Sequence, residues 1–197
     1  MISYISGKIT TKSPTFLDVE THGVGYRILI SLNTYRDIEQ KENVKILTHL
    51  LIKEDSHTLY GFSTEDERFL FKSLISVSGI GPGTALLILS ALSSEEVRAA
   101  IAGEDVLTFN KIKGIGPKTA KRIILDLKDK ILKDGGSEML ISGGQGNTVK
   151  SEALSALIAL GFNRQQVQKA VNAALNDDPS QESVEGLIKL ALGKLSK

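Results

Sequence analysis

The chain of 197 residues contains no cysteine. Disulfides, thiolate metal centres and a cysteine nucleophile are thereby excluded. Long hydrophobic runs are missing too. No window approaches the ~18 uninterrupted apolar residues that a membrane-spanning helix needs, so no membrane association is expected. Histidine is scarce, and the spacing of His22, His49 and His57 matches no metal-ligand pattern. Aromatic residues amount to 5%, too few to give the N-terminal segment a stacking platform for single-stranded bases. Neither sign of charge dominates, with 24 Lys and Arg against 23 Asp and Glu. The N-terminus, Met1-Ile2-Ser3-Tyr4, opens directly on a strand pattern with no basic leader or cleavage site. A cytoplasmic protein without metal or cofactor is expected.

What the chain does have is one motif written twice. Gly79-Ile80-Gly81-Pro82-Gly83-Thr84-Ala85 returns 35 residues later as Gly114-Ile115-Gly116-Pro117-Lys118-Thr119-Ala120, with six of the seven positions identical. Each copy follows an apolar stretch, Phe71 to Val77 or Val106 to Ile112, and leads into a helical pattern. Glycine allows the chain to turn through positive φ and lets another backbone approach closely. Pro82 and Pro117 suit the first position of a helix, where a missing N–H costs nothing. The amides at the second helix start, those of Ile115, Gly116, Lys118 and Thr119, are expected to point outward with the positive end of the helix dipole behind them. Such a turn binds phosphate without a special side chain. Thr84 and Thr119 can add hydroxyl contacts, while Ala85 and Ala120 keep adjoining helices close. Contacts of this kind read no base edge, so binding would be indifferent to sequence.

Charge sharpens the expectation. Between Phe109 and Lys133 there are eight Lys or Arg against two Asp. At 3.6 residues per turn, Ala120, Ile123, Ile124, Leu127 and Ile131 share one helix face. Lys118, Lys121 and Arg122 fall on the opposite one. Enzyme motifs that the turns could mimic fail on spacing. A nucleotide-hydrolase phosphate loop places Gly directly before its Lys and follows a buried strand; here Pro117 precedes Lys118 and the upstream pattern is helical. Gly79-Ile80-Gly81 lacks the third glycine and the preceding strand of a dinucleotide fingerprint. A helix-hairpin-helix glycosylase or nuclease would need a catalytic Lys or carboxylate cluster, and none is evident. No catalytic residue is assigned.

The rest of the chain frames the repeat. In residues 1–62, segments Ile5 to Thr10, Thr15 to Glu20, Gly25 to Ile30, Val44 to Leu51 and Thr58 to Phe62 read as five short strands, which suit a small OB-type barrel. Residues 63–134 turn helical, opening on Ser63-Thr64-Glu65-Asp66-Glu67 as a cap with an acidic first turn. Five glycines in 135–147 read as a flexible tether. Residues 148–197 carry three helix patterns, Val149 to Leu160, Arg164 to Leu175 and Gln181 to Leu195, with Asn163 and Asp178-Pro179-Ser180 as helix starts. Their near-neutral balance favours protein contact over nucleic acid. The fold class is thus multidomain α+β: OB barrel, tandem helix-hairpin-helix domain, linker and three-helix bundle.

These pieces in this order closely resemble the RuvA family, Holliday-junction-binding subunits of the bacterial branch-migration complex. The resemblance rests on Gly23-Val24-Gly25-Tyr26, Glu54-Asp55, Leu59-Tyr60-Gly61-Phe62, the two turn motifs and Leu160-Gly161-Phe162, and it covers the whole chain. It implies a homotetramer, one or two of which hold a four-way junction open, and a ubiquitin-associated-like third domain that engages the hexameric ATPase RuvB. A RuvC-type resolvase is a further implied partner, and the implied setting is recombination, DNA repair and the SOS response. It also implies DNA contacts by Gly79, Gly81, Gly83, Thr84, Gly114, Gly116, Lys118, Thr119, Lys121 and Arg122. Glu54 and Asp55, expected at a hairpin between strands ending at Ile52 and beginning near Thr58, acquire the role of an acidic pin at the junction crossover. One departure stands out: Gly83 occupies the place where related first turns often carry a basic residue.

Overall fold

Alternation of buried and exposed positions builds the first layer. In the computed structural model, which describes residues 1–139, 145–177 and 183–195, Val44, Ile46 and Thr48 point inward on one strand while Asn43, Lys45 and Leu47 do not. Five strands, β1 (Tyr4–Ser13), β2 (Phe16–Thr21), β3 (Val24–Ile30), β4 (Asn43–Ile52) and β5 (His57–Phe62), close into a barrel in the order β1-β2-β3-β5-β4. β1 serves two neighbours. Its first half pairs with β4, Tyr4 opposite Leu47, and its second half with β2, Ser13 opposite Phe16, with a register shift between Ile9 and Thr11. Such an irregularity bends a strand and lets a small sheet close. β3 and β5 run parallel, with Ile30 opposite Gly61. Gly61 is obligatory there, because a Cβ would meet Ile28 and Ile46 side chains at 2.5 and 2.7 Å. Leu17, Val19, Ile28, Ile30 and Ile46 fill the interior.

A short helix unannounced by the sequence pattern, α1 (Leu32–Asp37), joins β3 to β4. Its cap is Ser31, whose hydroxyl accepts from the Thr34 amide at 3.0 Å. At the other end, the Lys12 ammonium donates to the carbonyls of Ile38, Glu39 and Lys41 at 3.0, 2.6 and 3.1 Å. Cations at a helix C-terminus are favourable, and these bonds tie α1 to β1.

Five helices follow: α2 (Glu65–Ile75), α3 (Pro82–Ala91), α4 (Ser94–Ala102), α5 (Val106–Asn110) and α6 (Pro117–Met139). Thr64 caps α2 as expected, accepting from the Glu67 amide at 3.1 Å. Ser93 and Glu96 form a reciprocal capping box on α4. The core of this layer extends into the barrel. Phe71 is fully buried, and its ring centroid lies 4.9 Å from those of both Tyr60 and Phe62 on β5. Burying such a side chain stabilises by roughly 1.5–3 kcal/mol. The 62/63 division therefore separates two kinds of fold but not two packing units, since Met1–Ile131 forms one compact body.

The second compact body, Leu132–Lys197, contains α7 (Gln145–Ala159), α8 (Arg164–Asp177) and α9 (Val184–Leu195) around Leu157, Val167, Val171 and Leu187. Gly161 turns at φ 94°, and Asn163 accepts from the Gln165 amide at 2.9 Å, the expected cap. Asp178-Pro179-Ser180 lies outside the described residues; α9 is capped by Ser183, which accepts from the Gly186 amide at 3.1 Å. The non-helical tether expected over 135–147 differs from the backbone on both flanks. α6 runs on to Met139 and α7 already begins at Gln145, while residues 140–144 lie outside the described residues. Extending a formed helix adds a hydrogen bond per residue, which offsets a glycine cost of about 1 kcal/mol.

Candidate nucleic-acid interface

The two motif copies fold into the same turn. In the first, the amides of Val77 and Ile80 donate to Leu74 and Val77 carbonyls at 3.1 and 3.0 Å; in the second, Ile112 and Ile115 donate to Phe109 and Ile112, both at 3.1 Å. Gly79 and Gly114 sit at φ 92° and 87°, a region that costs other L-residues about 1–2 kcal/mol. Ala85 donates to Gly81 at 3.0 Å and Ala120 to Gly116 at 2.9 Å, so each helix begins at its proline. Each copy is a helix-hairpin-helix, α2 to α3 and α5 to α6.

The amides do not all point outward. Ile115, expected free, is spent inside the turn on the Ile112 carbonyl, because the tight glycine bend needs that bond to close. Gly116, Lys118 and Thr119 donate to no acceptor among the described residues, nor do Gly81, Gly83 and Thr84. Gly81 caps α3 without a side-chain hydrogen bond. Each turn therefore offers three unpaired N–H groups at a helix N-terminus, where the dipole favours an anion.

Burial repeats residue by residue. Val77, Ile80, Ala85, Ile88 and Leu89 are buried in the first copy, and Ile112, Ile115, Ala120, Ile123 and Ile124 in the second. All ten belong to one hydrophobic core, which holds both turns on a single scaffold. The expected inward face of α6, Ala120, Ile123, Ile124, Leu127 and Ile131, is buried throughout, while Lys118, Lys121 and Arg122 are exposed. Thr84 and Thr119 are half-buried beside their turns. Arg122 is partly engaged by Asp126 at 3.6 Å.

Positions that are not buried diverge where the buried ones agree. Ser76, Ser78, Gly83, Leu86 and Leu87 in the first copy stand where the second has Lys111, Lys113, Lys118, Lys121 and Arg122. Lys111 and Lys113 are exposed cations flanking Ile112 just before Gly114. The charge pattern includes them in the basic cluster without placing them at the site; aligning the copies outward from the glycines is the signal that finds them.

The acidic pair lies apart from the turns, at the tip between β4 and β5. The Lys53 amide donates to the Ser56 carbonyl at 2.8 Å, closing the hairpin, and residues 52–57 are all exposed. Ser56 Oγ donates to Asp55 at 3.2 Å, and Glu54 projects without a partner among the described residues. Among the described residues, no group of three or more His, Cys, Asp or Glu could hold a metal ion.

One further acidic residue escapes the sequence pattern. Glu67, expected among the acidic residues of the first turn of α2, is 4% exposed. Its carboxylate accepts from the Ser31 hydroxyl, from Thr34 Oγ1 at 2.5 Å and from the Ser63 amide at 3.4 Å. Burial pushes its carboxyl above the usual range despite these donors, and the nearby Asp37 adds to that shift. No spacing rule distinguishes it from Glu65 or Asp66.

Comparison with known proteins agrees with this architecture. The model of the RuvA N terminal domain matches residues 1–61, the SAM-like helix-hairpin-helix tandem residues 71–129, and the RuvA C-terminal domain residues 148–196. A protein of Christiangramia forsetii named Holliday junction branch migration complex subunit RuvA is 53% identical, over 99% of this chain and 100% of its own. This chain belongs to the RuvA family. Other relatives of the same name are 46% identical in Cytophaga hutchinsonii, over 98% of both chains, and 45% identical in Bacteroides fragilis, over 99% of this chain and 100% of the relative. RuvA-family membership accounts for the OB barrel, the helix-hairpin-helix tandem and the C-terminal domain on one chain.

Proposed function

We propose that this chain is the non-catalytic DNA-binding subunit that recognises four-way junctions and recruits a RuvB-type ATPase for branch migration in recombination and repair. The observation that carries this is the pair of matching turns on one core, each with three unpaired amides at a helix N-terminus. Gly79, Gly81, Gly83 and Thr84 form the first grip, and Gly114, Gly116, Lys118, Thr119, Lys121 and Arg122 the second. Two grips at a fixed separation suit two phosphates of one duplex arm, and four subunits would serve four arms. Glu54 and Asp55 then act at the crossover, where repulsion from phosphates disfavours a duplex laid across the centre. The 148–197 domain engages the ATPase, which supplies the hydrolysis, and a RuvC-type resolvase is a further partner in the cytoplasm. None of the described helices is long and apolar enough to cross a membrane.

A gel-shift comparison tests the reading. A four-way junction should bind far more tightly than linear duplex of equal length, with a steep salt dependence; equal affinities would sink it. Native mass with and without the junction should show a tetramer, and removal of residues 148–197 should spare junction binding while abolishing ATPase stimulation.

A further inference from the structure

The barrel carries the acidic tip and the helical layer carries the grips, so junction recognition depends on what holds one against the other. The geometry points to Asn33 and Glu67 as positioning residues that set this relation and thereby the preference for junction over duplex. The inference rests on the function proposed above.

Both residues act through α1. Asn33 Nδ2 donates to the Leu89 and Leu92 carbonyls at 2.7 and 2.9 Å, at the C-terminal end of α3. The neighbouring Leu32 amide donates to Ser90 Oγ at 3.0 Å, and Ser90 itself donates to the Leu86 carbonyl at 2.7 Å. α3 is the helix whose N-terminus is the first grip. A helix end leaves carbonyls unsatisfied, so a barrel side chain that satisfies them orients the whole rod, about 15 Å long by its rise per residue. Glu67 provides the second fastening. It draws the Ser31 and Thr34 hydroxyls of α1 onto α2, the helix that enters the same turn. Asp37 and Ser63 are joined beside it.

A continuous run of rigid elements leads from there to the acidic tip. Ser31 directly follows β3, whose last residues Ile28, Leu29 and Ile30 pair with Leu59, Tyr60 and Gly61 of β5. β5 starts at His57, two residues after Asp55. A change at Asn33 or Glu67 therefore moves the tip relative to the first grip without touching either. Linear duplex can lie on the grips away from the tip, whereas a junction held by the grips must fit around it. A displaced tip therefore sets its charges against junction phosphates. Buried polar networks of this kind fix one geometry when every member is satisfied.

The test uses the full-length protein, with Asn33→Ala and Glu67→Gln made separately and in a Glu54→Gln/Asp55→Asn background. Affinities for a four-way junction and an equal-length duplex are measured alongside circular dichroism and native mass. Either single variant should keep its fold, mass and duplex affinity to about twofold, while the junction-to-duplex ratio falls about fivefold or more. In the background lacking the acidic charges, the same changes should leave the ratio nearly unmoved, because the tip they misplace is already silent. Equal loss on junction and duplex would reduce both residues to structural supports and overturn the inference. So would an unchanged ratio, or losses that multiply independently of the acidic pair. A wild-type protein with no junction preference would instead overturn the proposed function itself. If Glu67→Gln fails to fold, Asn33→Ala alone decides, since its carbonyl partners can be reached by water from the half-buried site.

Discussion

The two helix-hairpin-helix copies are alike inside and unlike outside. Their turns share glycine conformation, hydrogen bonds and five matched buried positions. Their surfaces share almost nothing: five cations around the second turn face two serines, a glycine and two leucines around the first. The scaffold is thus common to both while the electrostatics diverge. Under the proposed function, a phosphate at the first turn would meet amides and hydroxyls only, and at the second also Coulombic attraction. Salt dependence should come chiefly from the second turn, because counterion release follows the cations and not the neutral donors.

The largest expected effect comes from stripping the second turn. Lys118→Ala, Lys121→Ala and Arg122→Ala together should weaken junction binding about 10- to 100-fold at physiological salt. The salt slope should flatten by about one unit for each phosphate that no longer meets a cation. Binding that stays unchanged in a salt titration would remove this turn from the interface.

Next come the glycines themselves. Gly79→Ala and Gly114→Ala should each cost about 1–2 kcal/mol in urea unfolding, because both force alanine to positive φ. Comparable losses would confirm the equivalence of the turns, and a loss at only one would break it.

The comparison can also be run in reverse. Gly83→Lys gives the first turn the cation that Lys118 gives the second, and a Cβ there meets nothing within 4 Å. Junction affinity should rise by about two- to fivefold with a steeper salt slope. No change in slope would mean that the first turn does not face phosphate.

The smallest effect belongs to the acidic tip. Glu54→Gln with Asp55→Asn should keep junction binding or tighten it slightly, while duplex binding rises about twofold as exposed repulsion is removed. Loss of folded protein would make the pair structural instead.

Much of this is legible in the primary structure, for reasons that are local. The barrel strands declare themselves by β-branched residues in alternation, and the turns by glycine and proline at fixed offsets. The inward face of α6 follows from a 3.6-residue period, which names Ala120, Ile123, Ile124, Leu127 and Ile131 without a structure. What escapes depends on partners far along the chain. α1 has only six residues, too few to show periodicity. Its role comes from contacts made by Asn33 to residues 89 and 92, and Glu67 looks like any acidic residue in a capped first turn. An outward Ile115 amide is the wrong expectation because the turn closes on itself. Gly135 and Gly136 suggest a break, yet a helix already formed carries across them to Met139.

The sequence by itself determined the two glycine turns, their unequal charge and the family to which the chain belongs. Those follow from residue type at short spacing, where backbone freedom and charge act directly. The tertiary structure alone decided that both turns rest on one core and that the core runs into β5. It alone placed Glu67 and Asn33 as fastenings between barrel and helices. Such relations join residues 33 to 59 positions apart. Their energies depend on burial and on hydrogen bonds that exist only once the chain has folded.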